Sequence, residues 1–301
     1  MITLRDWLTA SRALFSITIV LPCVVGGVIA FHDGVLNLPL IILSTVGAFF
    51  GNIAANFTND YYDFKSGVDA LDKGRQFKKG SEILLKNGLS YSVVRRSIIG
   101  SLAATTVIGV YFILAVDWRM LFFGLAGMLI AYFYTAPPVK LGYRGFGELA
   151  SGFGSGPLPV IGTYFLLTHQ ISIDAIVASI PVGILVASIL YIGNVPDAEA
   201  DRQVGKKTIS VRLGRRAVRV LGPVFYGVTY LTIMIGVIAG WFPVWSIIAL
   251  LTIPLAIKLL RLTSEFYDDI PRYAPAIMMT VKVFAYTTIL IAASFVISAV
   301  V

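Results

Sequence analysis

Long apolar runs alternate with short polar connections along this chain, and the runs have the length of membrane spans. A helix crossing the hydrocarbon core of a bilayer takes roughly 17–25 apolar residues. Nine runs fit, over residues 13–31, 38–58, 92–116, 119–136, 147–168, 174–195, 217–239, 242–261 and 274–300. Pro22, Gly47, Pro159 and Pro181 lie inside them, which a packed bundle tolerates because neighbouring helices satisfy backbone groups freed at a kink. The pattern predicts an all-α, polytopic membrane helical bundle of nine transmembrane helices, forming one domain over residues 1–301.

Composition supports a bilayer as solvent. Hydrophobic residues make up 57% of the chain and charged ones only 13%, too little polar surface to coat a soluble globule. The segment Met1 to Arg12 carries Asp6 and shows no small-residue cleavage site, so it is expected to be retained. When alternate connections are assigned to opposite faces, the N-terminal arm and the connections after spans two, four, six and eight, with the adjoining helix ends, hold 23 of the 24 Lys and Arg, and only Arg119 falls on the other face. By the positive-inside rule the basic face is cytoplasmic and the C-terminus lies outside, as expected for an integral protein of the plasma membrane. The net charge of +8 sits in short loops, where anionic lipid headgroups or a phosphorylated substrate are better partners than nucleic acid. Cys23 is the single cysteine, which excludes an intrachain disulfide and a Cys-based zinc site.

The two longest polar connections, 59–91 and 196–216, lie on the basic face and both begin with acidic residues. Asn56, Asn59, Asp60 and Asp63 share one face of a helix continued to about residue 64, through steps of three and four. Asn194, Asp197 and Asp201 repeat that spacing at the end of the sixth span, while Glu199 points elsewhere. Carboxylates gathered at a membrane boundary repel one another and are poorly solvated, so a cation is needed to offset them. An oxygen-only donor set suits Mg²⁺, or Mn²⁺, rather than zinc, and Mg²⁺ in particular shares its coordination with phosphate oxygens. Diphosphate is then the natural third party. The alternative is that these acids cap helices or neutralise nearby Lys and Arg, a reading weakened by two Asn/Asp faces of like design on one side.

Cations surround both clusters: Lys65, Lys73, Arg75, Lys78 and Lys79 after the first, Arg202, Lys206, Lys207 and Arg212 after the second. Lys207, Arg212, Arg75 and Lys140 are the leading candidates for phosphate contact. Arg95, Arg96, Arg215, Arg216 and Arg219 read as headgroup anchors. Asp268 and Asp269 lack a companion Asn and are expected to offset Arg261 and Arg272. His32 and His169 fall on the opposite face, beyond reach of the acids. Gly152, Gly154 and Gly156, two apart on a presumed helix, suggest close packing or a pliable segment and not a nucleotide loop.

Three stretches carry a resemblance: Asn59-Asp-Tyr-Tyr-Asp63 with Gly67-Val-Asp69; Tyr134-Thr-Ala-Pro-Pro with Gly142-Tyr-Arg-Gly-Phe-Gly-Glu148; and Asn194-Val-Pro-Asp-Ala-Glu-Ala-Asp-Arg running through Gly205-Lys-Lys-Thr to Gly214. Together they resemble the UbiA superfamily of intramembrane prenyltransferases, over nearly the whole chain. Within it the sequence is most similar to the 1,4-dihydroxy-2-naphthoate polyprenyltransferases of menaquinone synthesis. Nothing between Asp69 and Ser90 is similar to the Arg-Pro-rich stretch of the archaeal-lipid and benzoate branches, whereas Ser11-Arg12-Ala13 departs from the Ala-Arg-Pro usual in the naphthoate branch.

The resemblance implies Mg²⁺ held by Asn59, Asp60, Asp63, Asp69, Asp197 and Asp201, with Asp63, Asp197 and Asp201 central to catalysis. It also implies a polyprenyl diphosphate donor and an aromatic acceptor, contacted by Asn56, Lys65, Arg75, Tyr134, Lys140, Arg144, Asn194, Lys207 and Arg212. Tyr61, Tyr62, Tyr134, Tyr143 and Tyr191 are available as a π-rich wall around a developing allylic cation. A spare carboxylate of the clusters or Glu148 is a candidate base, although Glu148 can equally pair with Arg144. A transporter or magnesium channel is the rival class, but it predicts charges along a permeation path, and here the acids stop at one face.

Overall fold

The computed structural model describes residues 11–66 and 91–301, and among them the secondary structure is helical with no strand. A 3₁₀ turn at Ala13–Ser16 leads into α1 (Ile17–His32), followed by α2 (Leu38–Ser66), α3 (Tyr91–Ala115) and α4 (Met120–Phe133). A second 3₁₀ turn at Leu141–Tyr143 precedes α5 (Gly147–Ser155) and α6 (Pro157–Thr168), and then comes α7 (Ile173–Asn194). Two short helices, α8 (Ala198–Gln203) and α9 (Ile209–Leu213), connect to α10 (Val218–Ile238). A 3₁₀ segment, Val244–Thr252, runs into α11 (Ile253–Phe266); α12 (Ile270–Tyr273) and α13 (Pro275–Val300) end the chain.

Six helices among the described residues are long and apolar enough to cross a membrane: Leu38–Tyr62, Ser92–Ala115, Ile173–Asn194, Arg215–Ile238, Val244–Phe266 and Ile270–Val300. The other three expected spans are shorter or interrupted. α1 has 16 residues and α4 has 14, and the run 147–168 is divided between α5 and α6 at Gly156. That break has a packing cause. A Cβ on Gly156 would lie 2.3 Å from the Gly183 Cα of α7, and one on Gly152 would lie 2.8 Å from the Gly183 carbonyl. Only glycine lets these backbones touch, so the Gly152–Gly156 stretch is a contact surface, and Pro157 restarts the helix at its first turn where its missing N–H costs nothing.

α7 is the hub. Ser172 caps its start, its Oγ accepting from the Ala175 N–H at 3.0 Å, and most of its residues are buried against α1, α5, α6, α10 and α13. The large apolar core runs along these helices and includes Val182, Leu185, Ile189, Phe284 and Ile291. Hydroxyls tie neighbours across it: Tyr230 Oη lies 2.9 Å from Thr252 Oγ1, which lies 2.8 Å from Thr287 Oγ1. Such bonds are useful where lipid offers backbone and side chain no alternative partner. A second, small cluster of Ile53, Phe57 and Val94 joins α2 to α3. On the outside, Leu114 is 81% and Ile238 83% exposed, a surface suited to acyl chains.

Polar contacts define the two ends of the bundle. At one end Tyr164 Oη donates to Asp33 at 2.7 Å, His32 lies 3.3 Å from Ser298, and His169 and Arg119 both engage Asp117 at 3.1 and 2.7 Å. The Arg119 side chain, then its backbone N–H, and His169 hold the Asp117 carboxyl well below the usual carboxylate range. α2 and α7 both start at this end, so their acidic termini both lie toward the other, away from both histidines.

Candidate functional site

Asn52, Asn56, Asn59 and Asp60 occupy one face of the last turns of α2. The chain before α1 is strapped onto that face. Asn56 Nδ2 donates to the Ser11 carbonyl at 3.1 Å and to Asn52 Oδ1 at 3.2 Å, and Ser16 Oγ donates to the same Asn52 oxygen at 3.2 Å. Arg12, held in the left-handed region at φ 54°, forms an ion pair with Asp60. Asp60 is only 1% exposed, and that guanidinium compensates its charge. One Asn56 bond serves the strap and the other stays within α2, which gives this candidate substrate contact a structural task as well. Asp63 and Lys65 lie on α2, with side chains outside the description; Asp69, Arg75, Lys73, Lys78 and Lys79 lie outside the described residues.

The second acidic end departs from one continuous helix. α7 stops at Asn194, and bonds of the tighter i+3 type follow, Val195 N to the Ile192 carbonyl and Ala198 N to the Val195 carbonyl, both at 3.4 Å. Asp197 then stands at the N-cap of α8 and Asp201 within it. α8 ends in a Schellman turn. Gly205, at φ 73°, donates to the Arg202 carbonyl at 3.1 Å, and Lys206 N donates to the Asp201 carbonyl at 2.9 Å. This geometry satisfies the last helical carbonyls and folds the chain back on itself. Lys206 Nζ is thereby brought 3.6 Å from the Asp201 carboxylate, which is 1% exposed.

The 134–148 connection closes over this turn. Lys207 N donates to the Tyr143 carbonyl at 2.9 Å, while Arg212 donates to the carbonyls of Lys207 and Arg144. Gly145 is required there, because a Cβ would sit 2.7 Å from Arg212 Nε. The ammonium groups of Lys140 and Lys206 lie 5.2 and 5.3 Å from the centroid of the same Tyr143 ring. The Tyr143 ring is thus within reach of two cations through its quadrupole, and one of them, Lys206, also faces Asp201. The Tyr134 ring rests against Gly142 and Gly147.

The structure gives several residues named from the sequence definite partners, one of which corrects an expectation. Glu148 does not pair with Arg144; it is buried and accepts from Asn194 Nδ2 at 3.2 Å and from Ile209 N at 3.4 Å. Arg144 instead donates to the Pro138 carbonyl at 3.0 Å. Arg215 and Arg219, expected as headgroup anchors, close helix ends: Arg215 donates to the Val195 and Pro196 carbonyls at 3.1 and 3.0 Å, Arg219 to Ser264 at 2.9 Å. Arg212, expected at phosphate, spends two donors on backbone. Lys207 keeps its side chain exposed. Asp269 caps α12 and pairs with Arg272 at 3.4 Å.

Among the described residues no three His, Cys, Asp or Glu side chains gather into a metal cage. Each acidic end instead offers hard oxygen donors in small number, which fits Mg²⁺ completed by waters and phosphate oxygens. Sequence reasoning passed over Arg12 as a site residue, although its position just before the first span put it on the acidic side. It also had no means of pairing Lys206 with Asp201, because that contact follows from the Gly205 turn.

Residues 19–287 match the UbiA prenyltransferase family. The chain belongs to that family. As a UbiA member it is a prenyltransferase and an integral membrane protein. It is 30% identical over 240 residues to 1,4-dihydroxy-2-naphthoate octaprenyltransferase of Bacillus subtilis, covering 80% of this chain and 76% of that one. It is 25% identical to 2-carboxy-1,4-naphthoquinone phytyltransferase of Synechocystis, over 97% and 94% of the two chains. In fold it is similar to a UbiA homologue from Aeropyrum pernix (TM-score 0.72, 16% identity, 95% of this chain and 98% of the other). Another UbiA homologue, from Archaeoglobus fulgidus with DMAPP and Mg²⁺ bound, superposes with a TM-score of 0.65 at 19% identity, over 95% and 99% of the chains.

Proposed function

We propose that this prenyltransferase moves a polyprenyl group from polyprenyl diphosphate to 1,4-dihydroxy-2-naphthoate, as one nine-span domain with its acidic end at the cytoplasmic face of the plasma membrane. The observation that carries the reading is the presence of two buried carboxylate ends, each with its own cation, at one end of an apolar bundle. Relatives named for naphthoate acceptors support the acceptor assignment.

Asn59, Asp60, Asp63 and Asp69 would hold Mg²⁺ at the first end, Asp197 and Asp201 at the second. When bound, Mg²⁺ supplies Lewis-acid neutralisation of the diphosphate. Lys140 and Lys206, gathered over Tyr143, and the exposed Lys207 hold phosphate oxygens and stabilise the departing anion. Arg12 and Lys206 compensate Asp60 and Asp201 before the substrate arrives, then turn to phosphate. The prenyl C1–O bond breaks with its electron pair going to diphosphate, the acceptor ring carbon that bears the carboxylate bonds to C1, and the C–carboxylate bond then breaks, releasing carbon dioxide and returning its electron pair to the ring. The apolar walls keep water from the allylic carbon.

The test is purified protein with Mg²⁺, a polyprenyl diphosphate and a panel of acceptors. Dihydroxynaphthoate is expected to give a prenylated naphthoquinol, and Asp63→Asn or Asp197→Asn to lower turnover by about a hundredfold or more while the protein stays folded. Product only with a glycerol phosphate or benzoate acceptor would replace the naphthoate assignment; no product with any acceptor would sink the enzymatic role proposed for these residues.

A further inference from the structure

Glu148 lies outside both Asn/Asp faces, yet it is 2% exposed and its carboxylate meets the end of α7. It is the second residue of α5, in the first turn, where the helix dipole favours a negative charge. α5 is itself fixed against α7 through the Gly152–Gly183 backbone contact. From that anchored position a single oxygen, Oε1, accepts from two places far apart in sequence: the side chain of Asn194, the last residue of α7, and the backbone N–H of Ile209, the first residue of α9. The chain between those two points contains Asp197, Asp201, Lys206 and Lys207. The other oxygen, Oε2, is buried and makes no hydrogen bond to a described residue.

We infer that Glu148 is a positioning residue that pins both ends of the second acidic loop, so that Asp197 and Asp201 present a fixed geometry to the metal–diphosphate. The inference rests on the function proposed above for Asp197 and Asp201. It requires the reach of the side chain and the acceptor at Oε1, and it does not require a negative charge. Gln at this position keeps an oxygen able to accept both bonds and discards the charge. Asp keeps the charge and, one methylene shorter, withdraws the oxygen from both donors. Groups that orient ligands from behind are commonly worth 10–100-fold in metal affinity.

The experiment compares Glu148→Gln with Glu148→Asp in the full-length protein in detergent. Two readouts are taken: the Mg²⁺ and donor dependence of turnover, and amide hydrogen exchange of residues 195–209 without substrate. Glu148→Gln is expected to keep wild-type exchange in this loop and a wild-type Mg²⁺ requirement. Glu148→Asp is expected to speed exchange in this loop and raise the Mg²⁺ requirement roughly tenfold or more, with kcat less affected. The reverse order, equal impairment in both variants, or unchanged exchange in Glu148→Asp would overturn the positioning role. Failure of the functional reading is seen separately, as absence of turnover in the unaltered protein, because exchange reports the pinned loop without any chemistry.

Discussion

The ends of α2 and α7 carry the same kind of carboxylate, but they are secured by different means. The end of α2 packs through the small cluster of Ile53, Phe57 and Val94, and its acid face is held by a polar strap from the far side of α1: Ser11, Arg12 and Ser16. The end of α7 grows out of the main core and is closed by backbone-directed contacts from Glu148, Arg212 and Arg215 and by the Schellman turn at Gly205. Position at the first end therefore depends on few groups with high individual effect. At the second it is distributed over many.

The largest difference is expected on removing the cations. Arg12→Ala should lower stability by about 2 kcal/mol, because it removes the guanidinium ion pair of a buried carboxylate. Lys206→Ala, which removes a longer contact, 3.6 Å, from an equally buried carboxylate, should cost less, about 1 kcal/mol. Thermal unfolding in detergent measures both, and equal losses would erase the contrast. Intermediate is Gly205→Ala. The site is spatially open, so the cost is the left-handed backbone alone, roughly 1–2 kcal/mol, accompanied by a raised donor KM if the turn sets Lys206 over Asp201. Smallest is Asp117→Asn at the opposite end of the bundle. The folded Asp117 has a depressed pKa, so its contribution is present above the ordinary carboxylate pKa of ~3.9 and fades as pH falls below it. Wild type and variant should differ slightly in melting temperature at neutral pH and converge in strong acid, with turnover at neutral pH unchanged. A large activity loss would link the two ends of the bundle in a way this contrast does not contain.

Much of this organisation was written in residue type. The apolar runs give the helical bundle, and Asn56 to Asp60 fall on the helical face that their spacing predicts. Chain reversals were harder to foresee. Gly156 ends α5 because of Gly183, a partner 27 positions away whose proximity is tertiary, so a single span was expected where two helices lie. Arg215 and Arg219 look like any basic residue at a membrane boundary until the carbonyls they cap are in view. Glu148 and Arg12 acquire their partners across 46 to 61 and 48 positions respectively, distances over which periodicity carries no information.

The central claim is that both acidic ends act on one diphosphate. It is tested most directly by calorimetric titration of the purified protein with a non-hydrolysable polyprenyl thiodiphosphate, with and without Mg²⁺, in wild type, Asp60→Asn and Asp197→Asn. Binding that requires Mg²⁺ and weakens at least about tenfold in each variant is the predicted result. Wild-type affinity in either variant, or binding indifferent to Mg²⁺, would contradict it.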